Sequence, residues 1–176
     1  MFTVTAGMFV ANALPTPMVL TPDATDMNNQ ALVSLTSSRI YFCPVTVFAA
    51  VTVTQMRCQF SGAVTGNVDM GIYDSSGTNG APNNLLGHTG AIAAVTGLFT
   101  QSLTANLLLL PGIYWLAWVD TSADAVGRSA GPGTAGQGPS IVSNNTFSVL
   151  PNPLTGGTAD TPNKVALMAL LSGGFS

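Results

Sequence analysis

The residues able to do chemistry gather in one stretch, GIYDSSGTNGAPNNLLGHTG at 71–90, which holds Asp74, Ser75, Ser76 and the only histidine, His88. An imidazole with a carboxylate and hydroxyls nearby is the material of general acid–base or nucleophilic catalysis. The supply is thin. There is no Glu, Lys164 is the only lysine, and the acids are Asp23, Asp26, Asp69, Asp74, Asp120, Asp124 and Asp160. A Ser–His–Asp triad would have to use His88, and no G-x-S-x-G elbow presents a serine to it. Paired-carboxylate glycosidase chemistry would draw on Asp69, Asp74 or Asp120. Asp69 and Asp74 bracket a strand, however, and each reads as a turn former or a solvated residue. His88, between a glycine and Thr89-Gly90, reads as a turn residue. The expectation is a protein with no catalytic residues and no cofactor, and not an enzyme.

Calcium is the stronger alternative for this stretch. DSSGTNG at 74–80 offers oxygens from Asp74, Ser76 and Asn79 around a kinking glycine. It lacks the alternating ligands and closing Glu of an EF-hand. The competing reading is a hairpin-like connection in which Asp74 makes an Asx-turn and Gly77 and Gly80 take positive φ. Tyr73, Asp74, Asn79, Asn83 and His88 then form a candidate contact loop. Cys43 and Cys58 read as buried thiols acting as small apolar residues. A bridge between them is the alternative in an oxidising setting. With no CxxC spacing, a structural zinc site is not expected. The glycine-rich GPGTAGQGPS at 131–140 lacks the GK[ST] ending of a phosphate loop. Tyr114, Trp115 and Trp118 could stack on a sugar, but in an apolar strand they read as core.

The surface that must carry these residues is nearly uncharged. Only 6% of the 176 residues are Asp, Glu, Lys or Arg, against about 25% in ordinary domains. Surfaces close to neutral tend to associate, which points to an assembly of identical neighbours. A net charge of −3 with scattered Arg39, Arg57, Arg128 and Lys164 excludes the basic stripe that nucleic-acid binding needs. No apolar run approaches the roughly 20 residues of a membrane span. At 47% hydrophobic the chain can offset the entropy of ordering a core. The N-terminal MFTVTAGMFVANALPTP lacks the positive flank of a signal peptide and is expected to belong to the mature chain.

Helix signals are almost absent, while Thr, Val and Ile abound and Gly and Pro punctuate the chain. VTVTQMRCQF (51–60) alternates toward its end, with Met56, Cys58 and Phe60 on the core face. In VDMGIYD, Val68, Met70 and Ile72 point one way and Asp69, Gly71 and Tyr73 the other. Leu85 and Leu86 form a short strand, and 91–110 supplies one or two more. After the turn at Pro111-Gly112, residues 113–119 are apolar on both faces and predict a central strand covered on both sides. Residues 121–140 carry no pattern and read as loop. IVSNNTFSVL and KVALMALLSG read as two further strands, the latter with a helix as its alternative. Phe9–Leu20 and Ala31–Phe42 suggest strand content. The sum is an all-β chain, a single antiparallel β-sandwich of jelly-roll type with eight or nine strands and long Gly/Pro-rich loops. Residues 1–45 are expected as a partly stranded arm reaching neighbouring subunits, and 46–176 as the sandwich domain.

The pairing of VDMGIYDSSGTNGAPNNLLG with LLLLPGIYWLAWV resembles the β-sandwich modules of tailed-bacteriophage virion proteins. The matching residues are Gly71, Ile72, Tyr73, Asp74, Pro82, Leu85, Leu86, Pro111, Gly112, Tyr114, Trp115, Leu116 and Ala117, within residues 50–120. The resemblance implies a virion structural protein made in the host cytoplasm and carried on the outer surface of the capsid. It implies a homotrimeric decoration (cement) protein whose partners are itself and the major capsid protein, with neither nucleic acid nor membrane as partner. The alternative it leaves is the tip domain of a tail or head fibre that binds a receptor or a host-surface glycan.

Overall fold

The computed structural model describes residues 18–20, 32–34, 37–61, 64–122, 125–127, 141–143, 147–154 and 168–172. Twelve strands lie within them: β1 (Met18–Leu20), β2 (Leu32–Ser34), β3 (Ile40–Val47), β4 (Val51–Ser61), β5 (Asn67–Asp74), β6 (Leu85–His88), β7 (Ile92–Ala93), β8 (Gly97–Leu109), β9 (Gly112–Asp120), β10 (Ala125–Gly127), β11 (Ile141–Ser143) and β12 (Ala169–Ser172). The only helical element among the described residues is one 3-10 turn, Thr78–Gly80. The count exceeds the eight or nine expected because β1, β2, β7, β10 and β11 span only two or three residues, too few for an alternation to register.

The strands form two six-stranded sheets, and every pairing is antiparallel. In the first, β8 lies along one edge of β4, while β12 and then β10 lie along the other, with β1 outside β12 and β2 outside β10. In the second, the order is β11-β3-β9-β5, and β6 and β7 share the far edge of β5. Both sheets feed one apolar cluster: Val53, Met56, Cys58, Phe60, Phe99 and Leu170 from the first meet Tyr41, Val45, Met70, Ile72, Leu116 and Trp118 from the second. Phe60 and Phe99 meet edge-on with centroids 5.6 Å apart, the arrangement that ring quadrupoles favour. The core face of β4 carries Met56, Cys58 and Phe60 as expected. Val53 joins them because the register slips between Val53 and Gln55, and such an irregularity turns the preceding residues to the opposite face.

β9 lies between β3 and β5 and is buried on both faces from Trp115 to Asp120. Its second face belongs to a separate cluster of Ile40, Phe42, Tyr73, Trp115, Ala117, Val119 and Leu150. What covers this face differs from expectation. Among the described residues of IVSNNTFSVL only β11 is strand, and 147–154 instead crosses the outside of the second sheet as a non-strand strap. Residues 121–140, expected as loop, contain β10, which bridges β4 and β2; most of the rest lies outside the described residues. β12 settles the choice between strand and helix for its four residues, all of them buried. The expected division at residue 45 falls inside β3, whose Ile40, Phe42 and Cys43 are buried like Val45 and Val47 after them.

Candidate functional site

The 71–90 stretch is a hairpin, β5 and β6 joined by residues 75–84. Asp74 ties its mouth. One carboxylate oxygen accepts hydrogen bonds from the Ser76 hydroxyl at 2.9 Å, the Ser76 N–H at 3.3 Å and the Asn84 N–H at 3.0 Å; the other accepts the Asn84 amide at 2.8 Å. Burial acts to raise this carboxyl, but the bonds from Asn84 and then Ser76 outweigh it and hold it below the ordinary carboxylate range. The Asn83 amide donates to the Ser76 hydroxyl at 3.0 Å. Gly80 has φ 76° as expected, whereas Gly77 has φ −69° and the second left-handed position is Asn79 at φ 57°. Asn tolerates that region better than other side-chain-bearing residues.

These contacts sort the candidate ligands and contact residues. Asp74, Ser76 and Asn83 share one network, and the carboxylate oxygens of Asp74 face N–H and O–H donors. Asn79 stands exposed on the 3-10 turn. Among the described residues no group of three His, Cys, Asp or Glu side chains is placed to hold a metal ion. Tyr73 is fully buried, its ring edge-on to Phe42 and its hydroxyl donating to the Pro151 carbonyl at 2.5 Å. Burial first, and the negative charge of Asp69 second, push its phenol well above the usual range.

Asp69 and His88 depart from their sequence reading. Asp69 is neither a turn former nor solvated: it is mid-strand and has no exposed surface. His88 is the last residue of β6, opposite Gly71, which places its side chain diagonally beside Asp69 on the outer face. The imidazole Nδ1 lies 2.9 Å from Asp69 Oδ2, with the His side chain 32% exposed. An ionised carboxylate can only accept, so facing one the imidazole Nδ1 is the donor. The same Oδ2 accepts the Leu150 N–H at 3.0 Å, and Oδ1 lies 3.3 Å from the Thr89 hydroxyl. A buried carboxylate holding an imidazole by Nδ1 is the orienting half of a hydrolytic triad. Here the carboxylate also holds the backbone of the strap. The strap is fixed further by Phe147 N–H to the Ser38 carbonyl at 2.8 Å, Leu85 N–H to Asn152 Oδ1 at 3.1 Å and Leu154 N–H to the Asn83 carbonyl at 2.8 Å. Trp115 Nε1–H donates to the Gly80 carbonyl at 2.9 Å, pinning the turn onto the same face.

Sequence reasoning missed the Asp69–His88 pair because register across a hairpin depends on turn length and on the slip between Ile72 and Tyr73. The strap had no signal to find, since it is irregular and its anchors are mostly backbone groups. Cys43 and Cys58 sit buried in β3 and β4 as separate thiols, not a disulfide. Burial first, then the charge of Asp120, pushes the Cys58 thiol far above its ordinary range. No protein-family model matches the chain, and no curated protein matches its sequence.

Proposed function

We propose that this protein is a non-enzymatic structural component of a bacteriophage virion, a trimeric decoration (cement) protein on the outer capsid surface. Its two sheets are then the halves of a jelly-roll-like β-sandwich. The observation that carries the non-catalytic reading is the use made of the ionisable groups. Asp69 holds the strap, Asp74 closes a turn, and Arg57 donates to the Thr100 hydroxyl at 2.7 Å within the first sheet. Asp69, Asp74 and Arg57 are thus engaged in holding the fold, and His88 is tied through Nδ1 to the carboxylate that holds the strap. The virion setting rests on the resemblance over residues 50–120 and on a surface with few charges, suited to close neighbours. Among the described residues the fibre-tip alternative rests on the polar end of the β5–β6 hairpin, because Tyr73, Trp115 and Trp118 are buried and offer no open face to a sugar; most of the 121–140 loop that it would also use lies outside the described residues. The test is the mass of the purified protein in solution, followed by its rebinding to capsids stripped of decoration. A trimer that rebinds supports the reading; a monomer that does not rebind removes it.

A further inference from the structure

Asn79 and Gly80 make the only Asn-Gly step in the 176 residues, and both stand exposed at the tip of the β5–β6 hairpin. An asparagine amide is among the heat-labile side chains, and a following glycine hinders attack on it least, having no Cβ. The reaction is a cyclisation. The Gly80 nitrogen loses its proton and bonds to Asn79 Cγ, the Cγ–Nδ2 bond breaks, and ammonia leaves with that proton. Water from the solvent then opens the five-membered imide at either carbonyl, leaving aspartate or isoaspartate at position 79.

The turn opposes this step at every point. The Gly80 N–H, which must give up its proton, donates to the Gly77 carbonyl at 3.0 Å. A ψ of 31° at Asn79 sets the Gly80 nitrogen nearly opposite Cβ about the Cα–C bond, since N and Cβ stand about 120° apart on a tetrahedral carbon. Ring closure needs the two on one side. Rotation to that position is resisted by the neighbouring bonds, Gly77 N–H to the Ala81 carbonyl at 3.0 Å and Ala81 N–H to the Thr78 carbonyl at 3.3 Å. Trp115, buried in β9, donates Nε1–H to the Gly80 carbonyl at 2.9 Å and so ties the turn to the second sheet.

We infer that Asn79 is a latent deamidation site, silenced in the folded protein by the turn that Trp115 pins. The covalent change waits on opening of the turn, as exchange of a protected amide waits on local unfolding. Its product adds a negative charge to a chain whose net charge is −3, and the isoaspartate form lengthens the backbone of the turn by one carbon. The inference does not rest on the virion reading, and failure to rebind capsids would leave it untouched.

The test incubates the full-length protein in mildly alkaline buffer, native and unfolded in urea, and follows the amide-to-acid mass gain of the peptide that holds 79–80. Enzymatic methylation of isoaspartate gives a second readout. The native rate should be at least about tenfold below the unfolded one. Equal rates, or no product in either state, would overturn the inference. N79Q should abolish the product in urea; product that persists would place the reaction elsewhere and overturn it too. W115F keeps the ring and loses the donor, and should speed the native reaction about fivefold with hydrogen exchange in β4 and β8 unchanged. A native rate unmoved by W115F would remove the pin from the account. Should W115F fail to fold, the wild type decides alone: the Gly80 amide should be protected from exchange, and free exchange there would overturn the inference.

Discussion

Asp69 is tied into the fold through every partner its carboxylate has. It has no exposed surface, and its oxygens serve an imidazole, a strap N–H and the Thr89 hydroxyl. Removing an acceptor from buried donors costs more than the bonds themselves contribute, because the donors lose water as well. Asp69→Ala should therefore destabilise the protein by about 2–4 kcal/mol. His88→Ala, which removes a partly exposed partner, should cost about 1 kcal/mol or less. Urea denaturation of the two variants checks the order, and equal losses would mean that the imidazole, not the strap, is the main client of the carboxylate. The thiols make a second case. Cys43 and Cys58 are buried, and the raised Cys58 thiol has almost no thiolate at neutral pH. Neither should react with a thiol reagent in the native state, and both should react in denaturant. Rapid labelling of the native protein would contradict the packing described for β3 and β4.

The strap is the element on which the second sheet depends, and Gly71 sets how close it can lie. A Cβ at Gly71 would come 2.5 Å from Leu150 Cδ1, 2.9 Å from Leu85 Cδ1 and 3.0 Å from the Gly87 carbonyl oxygen. One of those is backbone of the paired strand, so the methyl cannot be absorbed by side-chain motion alone. Gly71→Ala should cost about 1–3 kcal/mol and should raise hydrogen exchange at the Leu150 and Leu154 amides, with β4 and β8 unaffected. Exchange rising uniformly across both sheets would show that the strap and the sheets open together. The contrast between β9 and the strap marks what was legible in the sequence. Residues 113–119 announced a doubly covered strand through apolar side chains on both faces, a pattern that local composition carries, and the cover holds from Trp115 onward while Ile113 stays exposed. The covering segment is bound through the N–H groups of Phe147, Leu150 and Leu154 and through the carbonyl of Pro151, which every sequence has in common. Asp74 was legible as an Asx-turn because its partners lie within ten residues. Asp69 was not, because one of its partners, Leu150, lies 81 residues away.

At the scale of the whole molecule, scarcity of charge makes the response to pH depend on a few hydrogen-bonded or buried groups. Acid reaches the fold through Asp74, held below the usual carboxylate range. Its contribution is complete above that range and is lost as pH falls through its lowered value. Alkali acts through Cys58 and Tyr73, both raised. Their neutral forms are the ones the core accepts, so the unfolded chain ionises first and binds fewer protons than the native state. Stability must then fall as pH rises past the ordinary thiol range, near pH 9, and fall further past the ordinary phenol range, near pH 10. The loss should approach about 1.4 kcal/mol per pH unit for each group so engaged. Cys58→Ala leaves a smaller side chain and lowers stability at every pH, but it removes the thiol's share of the slope. The check is the denaturation midpoint of wild type and Cys58→Ala from pH 7 to 10. The gap between them should narrow above pH 9, because only the wild type continues to lose stability through this thiol. A constant gap across that range would mean that Cys58 ionises as readily folded as unfolded, and that water reaches the interface of β4 with β8 and β12.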